Sequence, residues 1–77
     1  MFRRHRFMTR FYFDVVDATG EPDVDDEGIE FIDVQAAVDE AASAIHDGDD
    51  RIIIIVRDGQ RTVATVTHGG VRWPRDD

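Results

Sequence analysis

The feature that most limits the fold of this chain is an uninterrupted apolar run from Ile52 to Val56. A strand that is apolar at every position, rather than at alternate positions, is typical of a strand with both faces covered. The run is far shorter than the roughly 20 residues that cross a bilayer. We therefore predict a strand inside a small sheet, and we expect no membrane partner.

The length of the chain makes both faces of that strand difficult to cover. Its 77 residues form one domain, and a domain this small buries only about 60% of its unfolded surface. There is no cysteine, so neither disulfides nor a thiolate metal site supplement the core. The single helix of this chain can cover only one face of the sheet. The sequence therefore predicts that a second copy covers the other face, forming a homodimer.

Two further patterns predict the partners of this strand. Residues 10–16 are aromatic and β-branched, which favours a first strand. The Asp58-Gly59 pair is typical of a tight hairpin, and counting outward from it places Ile54 opposite Val63. Residues 29–32 are long enough for one short additional strand.

One helix is predicted between the first strand and the hairpin. Asp33 stands at the position of an N-cap, where its carboxylate accepts a backbone N–H. Gly48 is placed to end the helix. Apolar residues at helical spacing form one stripe: Val34, Ala37, Val38, Ala41 and Ile45.

The predicted fold class is α+β. We expect an antiparallel sheet of three to four strands with one helix on one face, in the order β-(β)-α-β-β. Residues 1–8 are interpreted as a flexible basic arm, residues 9–68 as the folded domain and residues 69–77 as a C-terminal tail.

Charge is strongly segregated along the chain. Residues 1–13 contain four arginines and no acid, whereas residues 14–50 contain fourteen acids and no lysine or arginine. Such an acidic middle repels phosphate backbones. The basic and aromatic arm at residues 2–7 is the type of segment that contacts nucleic acid, but the net charge of -8 weighs against a nucleic-acid partner.

Within the acidic loop at residues 23–30, residues 23–28 resemble the first half of a calcium-binding loop. Asp23, Asp25 and Glu27 occupy alternate ligand positions and Gly28 follows them, but the position of the essential last carboxylate is Val34. A solvated acidic turn is the simpler interpretation. Ligand or divalent-cation binding, with Asp23, Asp25 and Glu27 as the metal candidates, is the alternative function.

The histidines do not complete a recognisable reactive group. His46 and the following Asp47 lie at the predicted helix end, where an imidazolium favours the helix dipole. His68 has no serine, cysteine or paired carboxylate at motif spacing. The sequence therefore predicts no catalytic residue, no cofactor and no enzymatic activity.

Several short segments together resemble a known family. They are residues 9–15 (Thr-Arg-Phe-Tyr-Phe-Asp-Val), the Asp-Glu-Gly-Ile-Glu element at residues 26–30, Asp33 before an alanine-rich helix, and the hairpin. This combination is similar to a family of short alphaproteobacterial (rhizobial-type) proteins of unknown function, over roughly residues 8–67. The resemblance implies no reaction, cofactor or catalytic residue.

We interpret the chain as a non-enzymatic protein-interaction or regulatory module in the cytoplasm, forming a homodimer or binding another protein partner. Its predicted interaction surface combines the acidic segment with the apolar strand and comprises Asp25, Asp26, Glu27, Glu30, Ile53 and Ile55.

Overall fold

The computed structural model describes residues 8–47 and 51–74. In these ranges one helix lies on one face of a six-stranded antiparallel sheet, so the α+β prediction is confirmed and the predicted three to four strands were too few. The elements are β1 (Thr9–Val16), β2 (Pro22–Asp23), β3 (Ile29–Phe31), α1 (Val34–His46), β4 (Ile53–Asp58), β5 (Arg61–Thr67) and β6 (Gly70–Arg72).

The strand order places β4, which contains most of the apolar run, inside the sheet. The order is β2-β1-β4-β5-β6, and β3 also pairs with β1. β4 pairs with β1 along residues 11–16, and β2 and β3 share the opposite edge of β1. Residues 24–28 therefore form a loop along that edge, which we call the edge loop.

The sheet continues beyond the boundary that the sequence predicted at residue 68. β6 pairs with β5, with Thr65 opposite Arg72 and Thr67 opposite Gly70. The two strands are joined by a turn at residues 68–69, in which the Gly69 N–H donates to Thr67 Oγ1 at 3.1 Å. Of the expected tail at residues 69–77, Gly69 lies in the turn, residues 70–72 form β6, and residues 73 and 74 are described outside any strand.

The β4–β5 hairpin has a different register from the predicted one. Asp58 pairs with Arg61, so the turn residues are Gly59 and Gln60, and a bulge follows between Val56 and Arg57. Ile54 consequently lies opposite Val66 rather than Val63. A bulge inserts one extra residue into one strand, and periodicity alone does not reveal it.

The core lies between α1 and one face of the sheet. The predicted helix stripe packs there, with Ala37, Val38, Ala41 and Ile45 buried. The sheet contributes five buried residues: Phe11, Ile54, Val56, Ala64 and Val66.

The structure describes the start of the predicted helix fully and its end only as far as residue 47. The Asp33 carboxylate accepts the Ala36 N–H at 2.9 Å, which confirms the N-cap. The helix ends at His46. Gly48, the predicted stop, and residues 1–7 of the predicted arm lie outside the described residues.

Candidate functional site

The face of the sheet opposite α1 carries the second apolar side of β4. Strand pairing places on this open face the following residues: Tyr12, Asp14, Val16, Ile53, Ile55, Arg57, Thr65, Thr67 and Arg72. Ile53 and Ile55 are half-buried by their neighbours. Within the described ranges no helix packs on this face.

One transverse row crosses the middle of the open face. Asp14 lies opposite Ile55, Ile55 opposite Thr65, and Thr65 opposite Arg72. The row is acidic at its β1 end, apolar in the middle and basic at its β6 end. Asp14 is buried, whereas Arg72 is exposed.

The acidic end of the row is held by Arg57. Its Nε donates to Asp14 Oδ2 at 2.7 Å and its Nη2 to Asp14 Oδ1 at 3.0 Å, which makes the pair bidentate. The same Nη2 donates to the Asp25 carbonyl at 2.9 Å. The guanidinium also lies over the Tyr12 ring, 5.0 Å from its centroid. Arg57 therefore ties β1, β4 and the edge loop together.

The Asp25 carboxylate points into the fold rather than toward solvent. Its Oδ2 accepts the Phe13 N–H at 3.1 Å, and its Oδ1 accepts the N–H groups of Glu27 at 3.0 Å and Gly28 at 3.1 Å. Burial is the largest single influence and raises the pKa of Asp25, but these three donors and the nearby charge of Arg57 together outweigh it, so the net pKa lies below the usual value. Asp25 thus satisfies backbone donors that would otherwise lack partners at this interruption of the sheet edge.

Asp14 is stabilised in its charged form by the same cluster. The hydrogen bonds from Arg57 lower the pKa of Asp14, burial opposes them, and the Asp25 N–H at 3.0 Å adds to the lowering. The bonds to Asp14 in turn raise the pKa of Arg57. The cluster is a satisfied structural network, because every carboxylate oxygen in it accepts a donor.

Gly28 allows the edge loop to lie against β1. Its φ is +71°, and a Cβ there would lie 2.9 Å from the Phe11 carbonyl oxygen and 2.9 Å from the Tyr12 ring. Only glycine combines this backbone conformation with so close an approach.

The structure separates the predicted interaction residues into two groups. Asp25 is engaged internally and Glu30 pairs with Arg10 at 3.3 Å, whereas the Asp26 and Glu27 side chains are exposed. Ile55 is part of the central row, and Ile53 lies beside it on the open face. The side chains that organise this face, above all Arg57 and Asp14, were missed by sequence reasoning. Their signal was an opposite-charge pair within otherwise apolar strands.

The predicted metal candidates do not converge. Asp23 belongs to β2 and pairs with Val15 of β1, whereas the Asp25 carboxylate oxygens accept backbone N–H groups. Among residues 8–47 and 51–74, no three histidine, aspartate or glutamate side chains are arranged to hold a metal ion. His46 and His68 line one cavity between the end of α1 and the β5–β6 turn.

A sizeable cavity lies on the helix side of the sheet, away from the central row. It has a volume of about 670 Å³, and its lining includes Val34, Val63 and Trp73 together with Asp33 and Arg61. Asp33 is already used as the helix N-cap. The cavity therefore adds no group of reactive side chains to the open face.

Comparisons with known proteins identify a family but no activity. No curated protein and no solved structure gives a significant match. Across the described part of the chain, no helix has the length and apolar character that spanning a membrane requires. The model of one family matches residues 10–69, which include the edge loop and the Asp14–Arg57 pair. The chain belongs to the family described as Domain of unknown function (DUF6894).

Proposed function

We propose that this domain is a non-enzymatic protein-interaction module whose contact surface is the open face of the sheet. The observation that carries the proposal is the position of Ile53 and Ile55 on a face that no described helix covers. Burial of such apolar surface is the main driving force of protein association.

The surroundings of the two isoleucines support the same proposal. Thr65 and Thr67 lie beside them, and charged residues lie toward the margins of the face. An apolar centre with a polar rim is typical of protein interfaces. Exposed Asp26 and Glu27 in the edge loop supply negative charge that steers a basic partner surface toward this side.

Cation binding through residues 23–30 receives less support than protein binding. A metal would have to displace backbone N–H groups from Asp25, which holds the edge loop in place. We also propose a cytoplasmic location, and the alphaproteobacterial affiliation remains a prediction from the sequence.

The test compares three single variants, each of which replaces an isoleucine by lysine. We expect Ile53→Lys and Ile55→Lys, on the open face, to abolish binding of a protein captured from the native cytoplasm and then purified. Ile32→Lys is the matched control because Ile32 is 63% exposed and lies outside the face. Circular dichroism establishes that each variant is folded.

Equal binding by all three variants would contradict the proposal. A second comparison uses Asp26→Ala with Glu27→Ala, which leaves Asp25 in place. We expect this pair to slow association and to reduce its salt dependence while leaving the complex intact.

A further inference from the structure

We infer that the partner of the open face is a second copy of this chain, packed face to face about a twofold axis parallel to the strands. The inference rests on the proposed function, since it names the occupant of the same surface. It is carried by the exposed charges at the two sides of the open face, Arg72 on β6 and the acidic edge loop beside β1, and by the small size of the core.

The open face is complementary to itself under this symmetry through Arg72 and the edge loop, because Arg57 already compensates the charge of Asp14. A twofold axis along the strands reverses the strand order, so the β6 end of one copy faces the β1 end of the other at the same height. Arg72 then faces the partner copy's edge loop, because Asp14 in the same row accepts the Asp25 N–H. Asp26 is the exposed acid that follows Asp25 in the edge loop. We assign it as the residue that attracts Arg72 of the other copy.

The middle of the row is complementary as well. Ile55 and Thr65 lie between the charged ends, so the twofold places apolar and small polar side chains of the two copies against each other. Sheets that pack face to face keep their strands within about 30° of each other, which preserves the alignment of the row. The opposite choice, an axis across the strands, would place like-charged edge loops together.

The core explains why a permanent partner is favourable. Among the described residues, the largest side chains with no appreciable exposure are valines (Val38, Val56 and Val66), whereas the larger Phe11, Ile45 and Ile54 each retain a slight exposure. Of the nine buried apolar residues in the ranges 8–47 and 51–74, three are alanines. A core of this size leaves little margin of stability, and small domains commonly gain it by oligomerisation. A second copy is always present at the required stoichiometry.

The experiment is a charge swap measured by sedimentation equilibrium of the full chain over a range of concentrations. We expect the wild type to dimerise and Arg72→Glu to weaken the dimer by about tenfold or more, because like charges then meet. Adding Asp26→Arg to Arg72→Glu restores the attraction and is expected to recover most of the affinity. Arg61→Glu is the control, since Arg61 pairs with Asp58 on the helix side of the sheet.

The outcomes separate this inference from the function on which it rests. A monomeric wild type at every concentration overturns the second copy, while the Ile53 and Ile55 binding comparison still tests the interaction module. A dimer that Arg72→Glu and Ile55→Lys leave unchanged overturns the use of the open face. Loss of the dimer in Arg72→Glu without recovery in the double variant overturns the proposed orientation.

Discussion

Gly28 shows how a single position determines the course of the edge loop. We expect Gly28→Ala to lower the free energy of unfolding by about 2 kcal/mol, because the new Cβ meets the β1 backbone in a conformation unfavourable for alanine. Gly20→Ala is the matched control: its φ is also positive, at +83°, but no atom lies within 4 Å of the added Cβ. Urea denaturation compares the two. If Gly28→Ala lowers the free energy of unfolding no more than Gly20→Ala does, the close approach of Gly28 to β1 is unimportant for stability.

The lowered pKa values of Asp14 and Asp25 predict how stability depends on pH. Both groups bind protons more readily in the unfolded chain, where the pKa of Asp is about 3.9. Their stabilisation is therefore present above about pH 4 and is lost as the pH falls through the lower folded values.

Asp25→Asn tests this dependence at one residue. We expect the variant to be less stable than the wild type at pH 7 by about 1–3 kcal/mol, since an amide nitrogen cannot accept a backbone N–H. The difference is expected to narrow as the pH falls below about 4, because the unfolded chain then takes up the proton more readily than the folded chain does. Urea denaturation from pH 7 to pH 3 measures it, with Asp26→Asn as the exposed control. A constant difference at all pH values would contradict the charged role of Asp25.

At the scale of the element, the N-terminus of α1 depends on its cap. We expect Asp33→Ala to destabilise the domain by about 1 kcal/mol, because the Ala36 N–H loses its acceptor. Asp39→Ala makes the same change further along the helix and removes only an exposed bond from Gln35, for which we expect a few tenths of a kcal/mol. Equal losses in urea denaturation would mean that Asp33 acts through its charge alone.

The same scale shows why strands were harder to predict than the helix. The helix has thirteen residues, a repeated apolar spacing and a capping residue, and all of these signals are local. β2 has two residues and β6 has three, which is too short for a periodic pattern. They exist because β1 and β5 offer unpaired backbone groups at their edges.

For the whole molecule, association through the open face predicts that thermal stability depends on concentration. A ligand or subunit that binds only the folded state raises its apparent Tm by mass action. We expect the Tm of the wild type to rise with protein concentration and that of Ile55→Lys to stay constant. Calorimetry over a hundredfold range of concentration measures both, and an equally constant Tm in the wild type would oppose the dimer.

The sequence by itself determined the fold class, the helix with its Asp33 cap, and the presence of a strand apolar on both faces. These features depend on periodicity and on contacts within a few residues of the chain. Only the tertiary structure decided that Asp25 is an internal acceptor, that Gly28 lies against β1, and that Arg57 links Asp14 to the edge loop. The Asp14–Arg57 contact spans 43 residues of sequence. Such partners are selected by strand pairing and register, which arise when the sheet closes and which no local pattern records.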